Sequence, residues 1–454
     1  MVPLQQWVVQ ILKKFGNIDL DKLDKLDKDE IKMLQHEYSS ALDILDTQLL
    51  IDIEDYEKNN NTKIVEHYNK RRKDDLSVLK KLQDKKCKLT VEEIRNNIKD
   101  IAGIRIICPF TDDTYKIVDL IKKSGFQVYE IEDYIENPKE SGYQGIHLGV
   151  KVPVRMGNEV RYTDAEVQVR TVAMDAWAAV EHRVNYKPVG SKKDYITEED
   201  KCKLVDCSRA LKGLEQRMKD FLSEKSNESI NLENNDIFDE IEFDTKELEV
   251  VNFKYYSAIK KLKTHLREGI KYLELVDGKK KVEHYNERIK TLSSTLRKLK
   301  EKECDLTIES LQENIRDYAG VRLVCPFIDD IYDIVDLIKS SDLFEIYEIK
   351  DYIKNPKESG YQSVHLLVNV PLNINNEKQK VKVEIQLRTL SMDAWAAIEE
   401  RIKYLVNNND LTLEQLRALK TFAGQFKEID EFYNELNRKM KSDYKEKNKK
   451  LEKK

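Results

Sequence analysis

The sequence has no Cys-x-x-Cys pair, no apolar run approaching the roughly 18 residues of a membrane span, and no dominant charge, since 79 basic residues meet 84 acidic ones. The first absence leaves the six cysteines without a paired metal or redox motif, and Cys108 and Cys325, in apolar strand-like runs, read as buried reduced thiols. The second leaves no candidate membrane helix. The third excludes a basic plate for duplex nucleic acid: charged residues make up 36% of the chain but the net charge is only -5, so any anion site must be local. The start, MVPLQQWVVQILKKF, has a short apolar stripe at helical spacing, yet no basic region precedes it and no small-residue cleavage site follows. It reads as a docking helix rather than a signal, and a cytoplasmic protein is expected.

What is present is a repeat. DYIENPKESGYQGIHL (Asp133 to Leu148) returns as DYIKNPKESGYQSVHL (Asp351 to Leu366), a match too irregular to follow from amphipathic periodicity. IKDIAGIRIICPF (from Ile98) pairs with IRDYAGVRLVCPF (from Ile315), and AEVQVRTVAMDAWAAVEHRVNY (from Ala165) with VEIQLRTLSMDAWAAIEERIKY (from Val383). Two copies at a period of about 217 residues are tandem domains, because solenoid and propeller units repeat every 20 to 50 residues or so. The expected organisation is an N-terminal helix (1–30), a first domain (31–222), a linker (223–245), a second domain (246–437) and a Lys-rich tail (438–454). The linker holds eight acidic residues against one lysine, as suits a solvated connection.

Within each copy, strands interleave with helices. Ile104 to Phe110, Gln127 to Ile135 and Ile146 to Val154 read as strands and Thr114 to Lys123 as a helix. The fold class is therefore α/β (α+β), with a mixed β-sheet flanked by helices, present twice.

Polar groups inside apolar strands are costly unless paired, which directs attention to Arg105 and Arg322, although a structural Arg–carboxylate pair would leave the same trace. Strand alternation puts Glu166, Gln168 and Arg170 on one sheet face, and Glu384, Gln386 and Arg388 on its counterpart; a solvent-exposed face is the alternative. Asp100 and Asp317 precede the buried strands. An Asp and a Glu from different strands could share Mg²⁺, a hard cation that takes carboxylate oxygens together with substrate phosphates. Read as helical, Lys73, Ser77 and Lys81 form one stripe, as do Lys290, Ser294 and Lys298. With Arg71 or Arg288, and with Lys139 or Lys357 from the NPKESGY loop, they describe a triphosphate site. Tyr143 and Tyr361, on that loop, could stack a nucleobase or fill the core.

Together these residues resemble the RelA/SpoT-type alarmone synthetase family, in particular its small single-domain members. The pattern is RxK followed by Ser and Lys, then DxxGxR, NPKxxGYQSxH, ExQxRT and MDxWAxxEH, over about 120 residues of each copy. The resemblance implies a nucleotidyltransferase-like synthetase fold and transfer of the β,γ-pyrophosphate of ATP to the 3′-hydroxyl of GDP or GTP, with Mg²⁺ and without a hydrolase segment. It implies that Arg71 and Arg105, or Arg288 and Arg322, sandwich adenine. Lys73, Ser77, Lys81 and Lys139, or Lys290, Ser294, Lys298 and Lys357, would hold phosphates. Asp100 or Asp317 would bind Mg²⁺ with Glu166 or Glu384, which also orients or deprotonates the acceptor hydroxyl. The acceptor side would comprise Lys139, Tyr143, Gln144, His147 and Gln168 in the first copy, and Lys350, Lys357, Tyr361, Gln362, His365 and Gln386 in the second.

The copies depart from the pattern differently. The first has Glu132 where the second keeps Lys350, and Gly145 where the second has Ser363; the second has Glu400 in place of His182. The second copy is accordingly expected to be the stronger synthetase. The copies are expected to pair as an intramolecular pseudo-dimer, with ATP and GDP or GTP as ligands, no membrane, and RNA less favoured. The rival readings are pyrophosphate transfer to a tRNA end or to adenine nucleotides, and a weakly catalytic nucleotide sensor.

Overall fold

Apolar residues spaced three or four apart (Leu34, Tyr38, Ala41, Leu45, Leu49, Ile53) bury one stripe of helix α1 (Lys28–Asn59) against a sheet, as a 3.6-residue period requires. The computed structural model describes residues 28–88, 90–185, 196–223, 245–374, 377–406 and 412–451. After α1 come β1 (His67–Arg72), α2 (Asp75–Asp84), α3 (Val91–Asn97), β2 (Ala102–Cys108), α4 (Thr111–Lys123), β3 (Gln127–Asp133), β4 (Ile146–Met156), β5 (Glu159–Thr171), α5 (Val172–Asn185) and α6 (Glu198–Ser223). The second copy repeats the order with α7 (Thr245–Asp277), β6 (His284–Ile289), α8 (Leu292–Glu301), α9 (Ile308–Asn314), β7 (Ala319–Cys325), α10 (Ile328–Lys339), β8 (Glu345–Asp351), β9 (Val364–Ile374), β10 (Glu377–Thr389), α11 (Leu390–Val406) and α12 (Leu413–Leu451).

Each sheet has five strands, ordered β1-β2-β5-β4-β3 and β6-β7-β10-β9-β8. The central pair is parallel and every other pair antiparallel, so both sheets are mixed. Ile104, Ile106, Leu148, Val167 and Val169 fill the apolar face of the first sheet together with the α1 stripe. Each such side chain contributes on the order of 1.5–3 kcal/mol. The opposite face is left for polar groups.

The expected helical stripe begins too early. His67–Arg72 is a strand paired with β2, and Asp74 caps α2 by accepting the backbone N–H of Ser77, so Lys73 lies before the helix and only Ser77 and Lys81 lie on it. The second copy does the same with β6 and Thr291. An edge strand rich in charged residues has no hydrophobic alternation to announce it.

The chain divides into two compact units, Met1–Lys212 and Gly213–Lys454. The expected N-terminal helix and linker fall almost wholly on residues 1–27 and 224–244, outside the described residues.

The copies neutralise one buried carboxylate differently. In the first, Lys116 on α4 meets buried Asp113 at 2.8 Å. In the second, Asp333 takes the position of Lys116, and buried Lys281, where the first copy has Ile64, reaches Asp330 at 3.2 Å and Asp333 at 2.6 Å. Burial pulls the Lys281 ammonium down, and Asp330, Asp277 and Asp333 together more than reverse it.

Candidate active site

Strand register lays the polar face out in rows. Across β1-β2-β5-β4-β3, one row reads Asn69, Arg105, Gln168, His147, Glu132 and the next reads Arg71, Gly103, Glu166, Gly149, Glu130. In the second copy the rows are Asn286, Arg322, Gln386, His365, Lys350 and Arg288, Gly320, Glu384, Leu367, Glu348. Gly103 and Gly320 add no side chain between the β1 or β6 arginine and the glutamate, which keeps that part of the floor open.

At one end of the floor two lysines converge on an aspartate. Lys73 hydrogen-bonds Asp100, and Lys81 approaches the same oxygen at 2.9 Å. Lys290 and Lys298 do the same to Asp317, the latter at 2.8 Å from both oxygens. Burial would raise these carboxyls, but the ammonium groups hold both below the usual range. Lys73 and Lys290 precede their helices, yet each meets the same aspartate as the helical lysine of its copy. Ser77 instead bonds its own cap, donating from Oγ to Asp74 at 2.6 Å, and Ser294 accepts from Thr291 Oγ1 at 2.8 Å.

The middle of the floor is a closed ring of hydrogen bonds. Glu384 Oε1 meets His365 Nδ1 at 2.9 Å, and His365 Nε2 meets the Tyr361 hydroxyl at 2.9 Å. Arg388 Nη2 donates to that hydroxyl at 2.9 Å and to Gln386 Oε1 at 3.2 Å, and Gln386 Nε2 donates back to Glu384 Oε2 at 2.6 Å. Glu166, His147, Tyr143, Arg170 and Gln168 form the same ring in the first copy, with Glu166 to His147 at 3.3 Å. Burial would raise Glu384 and Glu166, but the hydrogen bonds and charge of His365 and His147 keep them below the ordinary glutamate value. Each therefore presents an ionised carboxylate in a fixed orientation.

Lys357 and Arg388 lie over the Tyr361 ring, at 4.9 and 5.2 Å from its centroid, and Lys139 and Arg170 over Tyr143, at 5.3 and 5.1 Å. In the second copy Lys357 and Tyr361 border a cavity of about 430 Å³, lined also by Lys298, Asp317, Lys350, His365, Glu384 and Gln386 among others. Gln144 and Gln362 turn away from the floor: they are buried, bonding Ser208 Oγ at 3.0 Å and the Ile353 carbonyl at 3.3 Å. Arg170, Arg388, Asp175 and Asp393 were not singled out as site residues by the sequence, although strand alternation had placed both arginines on the polar face. Also unanticipated were Lys302, Arg316 and Glu399, which border the second cavity.

The copies differ at the outer strands. Tyr134 bonds Glu132 and is raised to about 12, chiefly by that bond, whereas Lys350 sits 3.4 Å from Glu348. A Cβ at Gly149 would lie 2.5 Å from the Tyr129 ring, which therefore covers the floor beside Glu166, where the second copy has Leu367. Gly145 has a φ of 149°, and a Cβ there would press on Arg170 at 3.2 Å and the Tyr143 hydroxyl at 3.3 Å.

The carboxylate pair suits a hard divalent cation shared with a substrate. Asp100 Oδ1 is buried and without a hydrogen-bond partner, and Asp100 acts electrostatically on Glu166. Among the described residues no group of three or more His, Cys, Asp or Glu could hold a metal by itself, so substrate oxygens would complete the shell.

Residues 70–191 and 287–409 each match the region found in RelA / SpoT proteins, more than half the chain together. The chain belongs to the RelA/SpoT family, which it carries as two tandem domains. Its relatives include the GTP pyrophosphokinase YwaC of Bacillus subtilis (strain 168), 39% identical over 166 residues that cover 37% of this chain and 75% of YwaC. The GTP pyrophosphokinase YjbM of the same organism is 35% identical over 195 residues, 42% of this chain and 90% of YjbM. A crystal structure of small alarmone synthetase 1 from Bacillus subtilis bound to its product pppGpp is 31% identical, with a TM-score of 0.39, covering 42% of this chain and 97% of that one. No helix among the described residues is long and apolar enough to cross a membrane.

Proposed function

We propose that the chain is a Mg²⁺-dependent GTP pyrophosphokinase that makes (p)ppGpp at two sites, with the second copy the stronger. The observation that carries this reading is that both polar floors set a lysine-clamped aspartate beside an ionised glutamate fixed in a hydrogen-bonded ring. In this reading the 3′-oxygen of GDP or GTP bonds to the β-phosphorus of ATP. The bond from that phosphorus to the α,β-bridging oxygen breaks, and AMP leaves with the electron pair. Glu384 or Glu166 takes the proton of the 3′-hydroxyl, and the ring holds the carboxylate in the orientation that reaction needs. Lys73 and Lys81, or Lys290 and Lys298, stand where the polyphosphate of the donor would replace their present aspartate contacts. Arg71 with Arg105, or Arg288 with Arg322, would flank adenine, and Tyr143 or Tyr361 would face guanine. Asp100 with Glu166, or Asp317 with Glu384, would hold Mg²⁺, which supplies charge neutralisation to the phosphates when bound.

Support for the ranking of the two sites is the row position shared by Glu132 and Lys350, where a negative group faces anionic substrates in one copy and a positive group in the other. The test of the activity is incubation with ATP, Mg²⁺ and GDP or GTP, followed by nucleotide chromatography. A 3′-pyrophosphorylated guanine nucleotide and equimolar AMP are expected, and the absence of both overturns the reading.

A further inference from the structure

Lys99 and Arg316 hold the same place in the two copies, one residue before the aspartate that the lysines clamp, yet they meet different partners. Lys99 donates to Asp164 at 2.7 Å and to the Arg95 carbonyl at 3.1 Å. Asp164 is buried, takes Lys151 as well at 3.1 Å, and stands on β5 two residues before Glu166, so Lys99 is anchored one row behind that of Glu166. In the second copy Lys382 takes the position of Asp164, and a cation there gives Arg316 no anchor. Arg316 instead donates to Glu348 at 3.0 Å, and Glu348 lies in the row of Glu384, one strand beyond Leu367.

The two anchors differ in how firmly they hold. Asp164 keeps only 9% of its side chain exposed, whereas Arg316 and Glu348 keep 56% and 31%, and water screens an exposed pair until it contributes little. A polyphosphate entering the second cavity therefore takes the guanidinium at small cost. Arg316 borders that cavity together with Asp317, Lys350 and Glu384. Its backbone adjoins Asp317, at the proposed donor end, and its head shares Glu348 with Lys350, which approaches the other carboxylate oxygen at 3.4 Å, at the acceptor edge. The side chain thus spans the path that pyrophosphate takes from donor to acceptor. We propose that Arg316 is a catalytic residue of the second copy that binds the transferred pyrophosphate, a contact the first copy lacks because Asp164 retains Lys99. This deepens the pyrophosphokinase reading and rests on it. As the 3′-oxygen bonds to the β-phosphorus and AMP leaves with the electron pair of the broken bridge, charge shifts over the phosphate oxygens, and a guanidinium can donate two parallel hydrogen bonds to them without giving up a proton.

Pyrophosphate transfer is measured in the full chain carrying Asp100→Asn, and its loss on adding Asp317→Asn assigns the turnover to the second copy. Arg316→Ala should lower kcat about 10- to 50-fold, less than the loss of a fully buried donor at a reacting centre, with the KM for GDP changed less than about 2-fold. Arg316→Lys, which keeps the charge, should recover most of that loss. Glu348→Gln breaks the same ion pair but leaves the guanidinium, so its kcat should not fall; a fall as deep as that of Arg316→Ala would make the arginine a structural tether and overturn the proposal. An unchanged kcat in Arg316→Ala would overturn it too, as would a loss confined to the KM for GDP or GTP, which would put Arg316 on the acceptor's own phosphates. In a chain carrying Asp317→Asn instead, Lys99→Ala should leave the kcat of the first copy within about 2-fold, and a loss matching that of Arg316→Ala would overturn the contrast between the copies. Turnover that survives Asp100→Asn and Asp317→Asn together, or a parent that transfers nothing, overturns the functional reading beneath the proposal, and the proposal with it.

Discussion

Along β1, β2 and β5, and along β6, β7 and β10, the two rows of the polar floor agree residue by residue; on the outer strands they part except at His147 and His365. Arginine, glycine, glutamate and glutamine recur in register, whereas Glu132 takes the row position of Lys350 and Gly149, against the Tyr129 ring, that of Leu367. The shared strands hold the proposed metal and donor groups together with the glutamate and glutamine of the ring. The outer strands border the proposed acceptor. A duplicated site can vary its acceptor edge without disturbing the groups that handle the polyphosphate, because the five-strand register separates the two by whole strands.

The strongest challenge to that comparison is to remove the common part. In a chain carrying Asp100→Asn, Glu384→Gln should lower pyrophosphate transfer by roughly 100- to 1,000-fold, the scale of losing one preorganised charge at a reacting centre. Transfer that persists at the Asp100→Asn level would show that the ring is not at the reaction. Next in size is the ranking of the copies: Asp317→Asn alone should remove most of the turnover of the intact chain and Asp100→Asn only a minor share. A larger loss from Asp100→Asn reverses the ranking.

Smaller again is the edge itself. With Asp317→Asn in place, Glu132→Lys should raise the kcat/KM of the first copy about 3- to 10-fold, since Glu132 is exposed and solvent screens the full Coulomb difference. The gain should shrink with added salt, and its absence at low salt would remove the charge argument.

The least effect on catalysis is expected from Asp430 on α12, which accepts a hydrogen bond from Thr389 at the end of β10. Burial pushes its carboxyl up to about 7. A raised acid binds its proton more tightly when folded, so its stabilisation is complete below the unfolded value near 4 and is lost as pH rises through about 7. Asp430→Asn should therefore raise the thermal midpoint of the full chain relative to the parent at pH 8 and change it little at pH 5. A difference that is the same at both values would contradict the assignment.

Much of this was legible in the sequence because duplication marks which residues belong together. Alternation placed Glu166, Gln168 and Arg170 on one face, and the apolar run around Ile104 located the central strand; the structure bears out both. The edge strand His67–Arg72 was not legible, because with one buried residue in six it has no face to alternate. Nor was the inward turn of Gln144, which depends on Ser208, far along the chain on α6. Asp175 and Asp393 stood in the matched motif, but only the fold brings each within reach of two arginines from separate strands.

The exchanged ion pair has a consequence for inheritance. If genetic exchange between the two gene segments moved α4 into the second copy, a lysine would arrive beside buried Lys281. If it moved α10 into the first, Asp330 and Asp333 would face Ile64 with no cation to meet them. The first hybrid leaves Lys281 its Asp277 partner at 2.5 Å and an aspartate at the Asp330 position but sets a second cation beside it, and the second takes from buried Asp330 the lysine it meets in its own copy. Each helix thus matches the charge placed opposite it in its own copy, and a chain with α4 and α10 exchanged should be less stable than the parent.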